Sequence, residues 1–307
     1  MTEKKFKHIA AGKEYGIWAA EATDGTIQTI YGDAGFVGWV EDQQGKADVV
    51  AASDWNNMWC VNKDGEIWHF KDGDILWSAG TWTRIATASG RNDAKTISVG
   101  HQDGSVWYVQ KDGRIFRRDG NSWTPDAVGR AETIAAANRH TVWAVNKDGQ
   151  LWRRVSSGWS QEATHSGRND VQSVAVGPNG TVAYIDTNGV VFSRPPEVGA
   201  WKRVWDQQDM GKAAVLAMGY EDSLACLNTK GEVWFVRDSQ AEKFVEVLSN
   251  QWIYTVKAGD QLNKIVMREF GLKNATEITH MVDYIVAQNG IEDRNHIKVG
   301  DVLRANL

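Results

Sequence analysis

The side chains of this 307-residue chain that could do covalent, acid–base or metal chemistry are scattered and not arranged for it. His8, His69, His101, His140, His165, His280 and His296 show no H-x₃-H or H-E-x-x-H spacing, the patterns that bring two imidazoles to one metal ion. There is no Gly-x-Ser-x-Gly elbow, no phosphate-binding Gly-rich loop before a Lys, and no Cys/His nucleophile pair. Glu292 and Asp293 are adjacent in a turn-like stretch, where carboxylates are ordinarily solvated; a glycosidase needs two carboxyls facing each other across a cleft. The Lys-Asp-Gly tripeptides lack the spacing of a calcium loop, and their Asp-Gly or Asn-Gly suffices as turn chemistry. Cys60 and Cys226 read as small buried apolar residues in repeat units too far apart to bridge. The expectation is a non-enzymatic protein with no cofactor and no metal.

Binding chemistry is better represented. Tyr15, Asp54-Trp55-Asn56, Trp77, His101, Asp103, Asn138, His140, Tyr220 and Asp222 fall in polar loop sequence, outside the regular pattern of the strands. A flat ring packs on the C–H face of a sugar, and neighbouring carboxylates and amides bind its hydroxyls. The plainer alternative is ordinary polar loop with some half-buried aromatics.

The elements that must position these loops repeat. Val61-Asn62-Lys63-Asp64-Gly65-Glu66-Ile67-Trp68 recurs almost letter for letter as Val145-Asn146-Lys147-Asp148-Gly149-Gln150-Leu151-Trp152. Each is an alternating run, a Gly turn and a second alternating run, the pattern of a β-hairpin. The turn glycines are Gly25, Gly65, Gly113, Gly149, Gly189 and Gly231, spaced 40, 48, 36, 40 and 42 residues apart. A period near 40 with strands throughout predicts six propeller blades of about four strands each, a to d. Strand a is short and rich in small residues, to suit a crowded channel. Strand b carries Trp18, Trp59, Trp107 and Trp143, then Ala183 and Ala225. Strand d carries Trp39, Trp82, Trp123, Trp159 and Trp201, then Phe244. These fixed-position aromatics account for much of the unusual total of 16 Trp and read as inter-blade core. The a–b and c–d loops share one face of such a ring, which gathers the aromatics of blades 6, 1 and 2 into an arc.

The run Thr96–Gly100, Asp103–Trp107, Lys111–Phe116 and Trp123, and residues 133–159, resemble tectonin repeats. The resemblance spans residues 6–250. It implies a β-propeller lectin that binds cell-surface glycans, with O-methylated sugars or lipopolysaccharide sugars as ligand classes. Units 5 and 6 depart from it by lacking the strand-b Trp.

After Asn250 the pattern changes. Leu262, Ile265, Val266 and Phe270 keep a 3.6-residue period, as do Ile278, Met281, Val282 and Ile285. Strand-like runs flank them at Ile253–Val256 and Ile297–Leu303, which predicts a small βααβ unit. The chain thus divides into residues 1–250 and 251–307, mainly β with a small helical tail. Tyr254-Thr255-Val256-Lys257-Ala258-Gly259-Asp260-Gln261-Leu262, then Asn289-Gly290-Ile291, Asn295, Ile297 and Val299–Leu303, make residues 252–305 similar to a LysM domain. Gln261 stands where that family has Thr or Ser. The resemblance implies binding of N-acetylglucosamine polymers, peptidoglycan or chitin, in a groove between Gly259, Asp260, Gln261, Leu262 and Asn289, Gly290, Ile291.

A net charge of −5 supplies no basic field for a phosphate backbone, so nucleic acid is disfavoured as a partner. No apolar run is long enough to span a bilayer, so no membrane insertion is expected. The basic N-terminal residues precede no apolar stretch, so the expectation is synthesis in the cytoplasm and action at cell surfaces after non-classical release. The leading functional reading is a two-module lectin. The alternative is a structural or adaptor protein whose propeller and LysM-like tail dock proteins in a larger assembly.

Overall fold

A computed structural model describes residues 4–12, 16–31, 40–54, 57–71, 81–156, 158–196, 199–205, 211–219, 222–237, 240–243, 251–270, 275–291, 293–294 and 296–306. Six four-stranded antiparallel sheets follow one another along the chain, each with its strands in sequence order. Blade 1 is β1 (Phe6–Ala11), β2 (Gly16–Glu21), β3 (Thr26–Tyr31) and β4 (Val40–Lys46). Blade 2 is β5 (Val49–Asp54), β6 (Asn57–Val61), β7 (Ile67–Lys71) and β8 (Thr81–Ile85). Blade 3 is β9 (Ala94–Val99), β10 (Val106–Gln110), β11 (Arg114–Asp119) and β12 (Ser122–Arg130). Blade 4 is β13 (Thr133–Ala136), β14 (Val142–Val145), β15 (Leu151–Val155) and β16 (Gly158–Glu162). Blade 5 is β17 (Val171–Val176), β18 (Val182–Asp186), β19 (Val191–Arg194) and β20 (Lys202–Arg203). Blade 6 is β21 (Ala213–Met218), β22 (Leu224–Asn228), β23 (Val233–Arg237) and β24 (Gln240–Lys243). The fold is a six-bladed β-propeller, as the period of the turn glycines predicts.

The strands form where they do because apolar residues alternate along them and occupy both faces of the second strand of each blade. β10, β14, β18 and β22 are buried at every position, which is the pattern of a sheet covered on both sides. Six apolar clusters lie between successive blades, and the cluster joining blade 6 to blade 1 through Phe6, Ile9, Leu227 and Val233 closes the ring. Each blade is built from one continuous stretch of chain, so closure uses no exchanged strand.

The inner strands share a register. Ala10, Ala51, Ser98, Ala135, Ala175 and Ala217 stand at one level and face Trp18, Trp59, Trp107, Trp143, Ala183 and Ala225 on strand b. Small residues let the six inner edges crowd around a channel of about 90 Å³, and large ones fill the widening space behind. His8 lines the channel, and its Nδ1 accepts the Val50 N–H at 3.4 Å. Burial lowers the His8 imidazole to about 4, against a weaker raising effect of the Ile9 backbone, so it is neutral at ordinary pH.

Blades are also joined by a backbone bond that recurs six times. The carbonyls of Gly25, Gly65, Gly113, Gly149, Gly189 and Gly231 accept the N–H of Ala47, Ala94, Ala131, Val171, Ala213 and Phe6 at 2.8–3.1 Å. Each donor belongs to the next blade, and the last returns to blade 1. At Gly149 φ is +73° and a Cβ would lie 2.7 Å from the Asn169 carbonyl oxygen, so only glycine allows the approach.

The tail forms a separate two-stranded sheet, β25 (Gln251–Thr255) with β26 (Val302–Asn306), and two helices, α1 (Leu262–Phe270) and α2 (Ala275–Asn289). Its core is Tyr254, Val256, Leu262, Ile265, Val266, Met281, Val282, Ile285 and Leu303. The second strand begins later than the sequence pattern suggests. Residues 298–301 are consumed by a turn in which Gly300 has φ +93° and the Asp301 carboxylate accepts the Lys298 N–H at 2.7 Å.

Two positive-φ glycines separate turn strain from blade contact. Gly90 has φ +68° and a Cβ added there would meet nothing within 4 Å, whereas one at Gly149 would meet the next blade. Gly90→Ala is expected to cost about 1 kcal/mol, and Gly149→Ala at least about twice that, in urea unfolding of the full chain.

Candidate functional site

The a–b loop face was the first site expected. Tyr15, Trp55, Asn56, Trp77 and Tyr220, which carry the aromatic arc, lie outside the described residues. The described candidates are Asp54, His101, Asp103, Asn138, His140 and Asp222, and most of their polar groups tie loops together. Asp103 Oδ2 accepts the Arg139 N–H of the next blade at 2.8 Å, and its other oxygen accepts the Ser105 N–H at 3.0 Å. Burial pushes the Asp103 carboxyl up, but the Arg139 N–H and the Ser105 hydroxyl and N–H outweigh it and leave the group below the usual carboxylate range. The Asn138 side-chain oxygen accepts the His140 and Thr141 N–H groups, both at 2.7 Å. Asp222, in the left-handed region at φ 60°, accepts the Asn179 N–H of blade 5 at 2.9 Å. Asp54 accepts from Ser53 at 3.2 Å, His101 lies against the channel, and His140 is exposed.

Gln102 is the residue that sequence reasoning passed over on this face. Its Nε2 donates to the Pro178 carbonyl at 2.5 Å, while its Oε1 accepts from Asn138 Nδ2 at 2.5 Å. One side chain of blade 3 therefore links blades 4 and 5 across the mouth of the channel. No local signal marks such a residue, because its partners are 36 and 76 positions away.

The strand-b tryptophans are core. Trp59 stacks on His69 at 4.0 Å and lies 5.3 Å from the Arg118 guanidinium of blade 3. Trp107 lies between Arg117 at 5.6 Å and Arg154 at 5.4 Å. Trp143 lies between Arg153 at 5.8 Å and Arg194 at 5.4 Å. In each case one partner is on the same blade and the other on the next. Each of these flat cations covers an aromatic face and keeps part of its edge for a carboxylate or for water. Arg194 pairs with Glu162 at 3.2 Å and Arg154 with Asp126 at 3.2 Å.

The tail carries a groove of about 600 Å³. Asp260, Gln261 and Leu262, which the resemblance assigns to a groove, line it together with Asn263, whereas Gly259 does not. The opposite wall is formed by Ile278, Thr279, Val282, Arg294 and Ile297, with Met267 at one end. Asn289, Gly290 and Ile291 do not line it. They finish α2: Asn289 donates to the Ile285 carbonyl at 2.7 Å, Gly290 turns at φ +61°, and the Ile291 N–H reaches the Val286 carbonyl at 3.0 Å. Ile291 then packs on the tail core.

From Gly259 to Leu262 the roles divide. Gly259 supplies a turn at φ +86°. The Asp260 carboxylate accepts the Lys257 N–H at 2.7 Å and the Tyr254 hydroxyl at 2.8 Å, and Arg268 approaches both. The Lys257 N–H is the chief reason that this carboxyl stays below its ordinary range. Gln261 is the N-cap of α1, its carbonyl accepting the Ile265 N–H at 2.9 Å. Its side-chain amide makes no hydrogen bond among the described residues and is exposed. Leu262 is buried beneath it. Met267, 45 % exposed, is an apolar residue outside the helix's buried stripe, a signal the sequence did carry. Among the described residues no three or more His, Cys, Asp or Glu side chains gather where a metal could bind.

No protein-family model matches the chain, and no curated protein does. Solved structures of similar fold include YCF48 bound to D1 peptide, at 15% identity over 82% of this chain and 87% of that one with a TM-score of 0.50. A catalytically inactive virginiamycin B lyase from Staphylococcus aureus with quinupristin is 12% identical over 80% and 85%, with a TM-score of 0.52. Prp20p from Saccharomyces cerevisiae is 14% identical over 74% and 70%, with a TM-score of 0.50. At these identities the likeness establishes the propeller fold alone.

Two expectations follow. Trp143, 3% exposed between two guanidinium groups, is core, and Trp143→Ala should cost about 3–5 kcal/mol in denaturant unfolding. Because the folded Asp103 carboxyl titrates below the unfolded one, its contribution is present above pH 3.8 and is lost as pH falls through the folded value. Exchange protection of the Arg139 amide should therefore decline on acidification below that point, and Asp103→Asn should show the lower protection already at neutral pH.

Proposed function

We propose that the chain is a non-enzymatic carbohydrate-binding protein, with a LysM-like tail that takes N-acetylglucosamine polymers such as peptidoglycan or chitin and a tectonin-like propeller that recognises surface glycans. The observation that carries this reading is the tail groove. Its floor of Leu262, Ile278, Val282 and Ile297 is apolar, and its rim offers Gln261, Asn263, Thr279 and Arg294. An acetamido methyl and the C–H faces of a sugar suit the floor, and amide and hydroxyl groups suit the rim. Gln261 is the strongest candidate on the rim because its amide is uncommitted among the described residues, whereas Asp260 holds the loop in shape. Single shallow sugar sites are weak. Two modules on one chain raise avidity by about 10²–10⁴ where both reach the same surface.

A second reading, that propeller and tail dock proteins as an adaptor, is supported by the cross-tied a–b loops of blades 3 to 6. Gln102, Asn138, Asp103 and Asp222 hold that face as a rigid platform. A propeller of similar fold has been solved with a bound peptide.

Calorimetry with chitohexaose separates the readings. Binding to the wild type is expected, weakened about 10-fold by Gln261→Ala, or about 1.4 kcal/mol, with an unchanged circular dichroism spectrum. No binding of chitohexaose or peptidoglycan by the wild type, together with stoichiometric co-purifying proteins, would favour the adaptor.

A further inference from the structure

Two loops that join strand d to the next strand a are near-copies. Ala86-Thr87-Ala88-Ser89-Gly90-Arg91-Asn92-Asp93 leads into blade 3 and Ala163-Thr164-His165-Ser166-Gly167-Arg168-Asn169-Asp170 into blade 5, differing only at Ala88/His165. Their internal bonding is the same. Thr87 and Thr164 donate to the Arg91 and Arg168 carbonyls. The Ser89 and Ser166 hydroxyls donate to Asp93 and Asp170 and each accepts the arginine N–H at 3.1 Å. Gly90 and Gly167 turn at φ +68° and +69°. Asn92 accepts from Arg84 at 2.7 Å and Asn169 from Gln161 at 3.4 Å. The Ala86 and Ala163 carbonyls accept the indole N–H of Trp123 and Trp201, both at 2.7 Å.

Six of the seven shared residues thus have an internal role. The arginine side chains have none: both are exposed and make no ion pair, hydrogen bond or ring contact among the described residues, at the tip of a turn with open space around its glycine. Nearby exposed positions of the same two blades have diverged, Lys95 against Gln172 and Lys111 against Thr187. Folding accounts for the other shared residues but not for two guanidinium groups, so their chemistry is directed outward.

We propose that Arg91 and Arg168 are twin anion-binding tips on the b–c and d–a loop face of the ring, and that their ligand is an acidic polysaccharide bearing carboxylate or phosphate groups. The reading of the ligand as a glycan rests on the proposed function of the propeller. A guanidinium takes a carboxylate or a phosphate oxygen pair in a bidentate fork. The tips are two blades apart on one rigid ring, so a polymer with repeated anionic groups engages both, whereas a single small anion gains nothing from the second.

The test measures retention of the full chain on immobilised polygalacturonate, on a phosphate-substituted mannan and on neutral dextran, with chitohexaose calorimetry alongside. Wild type should bind one or both acidic polymers and not dextran, with affinity falling as salt rises. Arg91→Ala or Arg168→Ala should weaken binding about 5-fold, and the double variant about 50-fold or more as avidity is lost. Preference for polygalacturonate over the mannan identifies a carboxylate ligand, and the reverse a phosphate. Equal retention of wild type and double variant, no retention of wild type on either acidic polymer, or equal retention on dextran overturns the proposal. Chitohexaose binding should be the same in all variants; its absence throughout would sink the tail reading and leave the arginine tips standing.

Discussion

The ring depends on one contact repeated six times: a turn carbonyl of each blade accepting a backbone N–H from the next. At most of the six turns the contact demands glycine, Gly113 being the looser one, where a Cβ would lie 3.4 Å from the Ala131 carbonyl. At Gly149 any Cβ would lie 2.7 Å from the Asn169 carbonyl, and at Gly25 one would lie 2.6 Å from that of Ala47. A backbone bond of this kind fixes the height of one blade against its neighbour regardless of side chains. It therefore sets the shared register in which Ala10, Ala51, Ser98, Ala135, Ala175 and Ala217 meet around the channel. Once that level is fixed, the large strand-b residues are carried into the space between blades, and their packing supplies most of the stabilisation.

The ring is nonetheless not sixfold. Asn62, Asn146 and Asn228, in blades 2, 4 and 6, clasp the same turn in the same way. Each side-chain amide donates to Glu66, Gln150 or Glu232 at 2.8, 2.6 and 2.6 Å, and each side-chain oxygen accepts two turn N–H groups. Blades 3 and 5 instead share Tyr108 and Tyr184, whose hydroxyls accept the Ala88 and His165 N–H and whose rings pack edge-on to Trp123 and Trp201. Burial pushes both phenols up to about 12, so they stay protonated over the working range of pH. The alternation is incomplete: blade 1 has Ala19 where blades 3 and 5 have tyrosine, and Asp186 of blade 5 accepts two turn N–H groups as the asparagines do.

How much of this was legible in the sequence follows from the range of the forces involved. The turn glycines, the alternating strands and the fixed aromatic positions are local signals of period 2 and period about 40, and they predict the propeller directly. The likeness of alternate blades was also present, in the near-identity of residues 61–68 and 145–152 and in the two Ser-Gly-Arg-Asn-Asp tails, but a single-blade period absorbs it. Gln102 was not legible, since nothing in His101-Gln102-Asp103 says that one side chain will reach Pro178. In the tail, the helical stripe was legible and Asp260, Gln261 and Leu262 fall on the groove. Asn289-Gly290-Ile291 does not line it and serves as a helix stop, a role as local and as common as ligand contact.

The same distinction between internal and outward roles orders the candidate functional residues. Asp103, Asn138, Asp222 and Asp260 have the chemistry of sugar ligands, yet their oxygens accept backbone N–H groups that would otherwise lose a partner. Truncating any of them would disturb a loop before it disturbed a ligand, so loss of binding in such variants carries little information about contact. Gln261, Arg91 and Arg168 stand apart because their side-chain polar groups have no partner among the described residues. A buried or cross-linked polar group is explained by the hydrogen bonds it satisfies. An exposed one held on a rigid turn, with its neighbours all employed, is available to a ligand, and that is where our proposals place the functional weight.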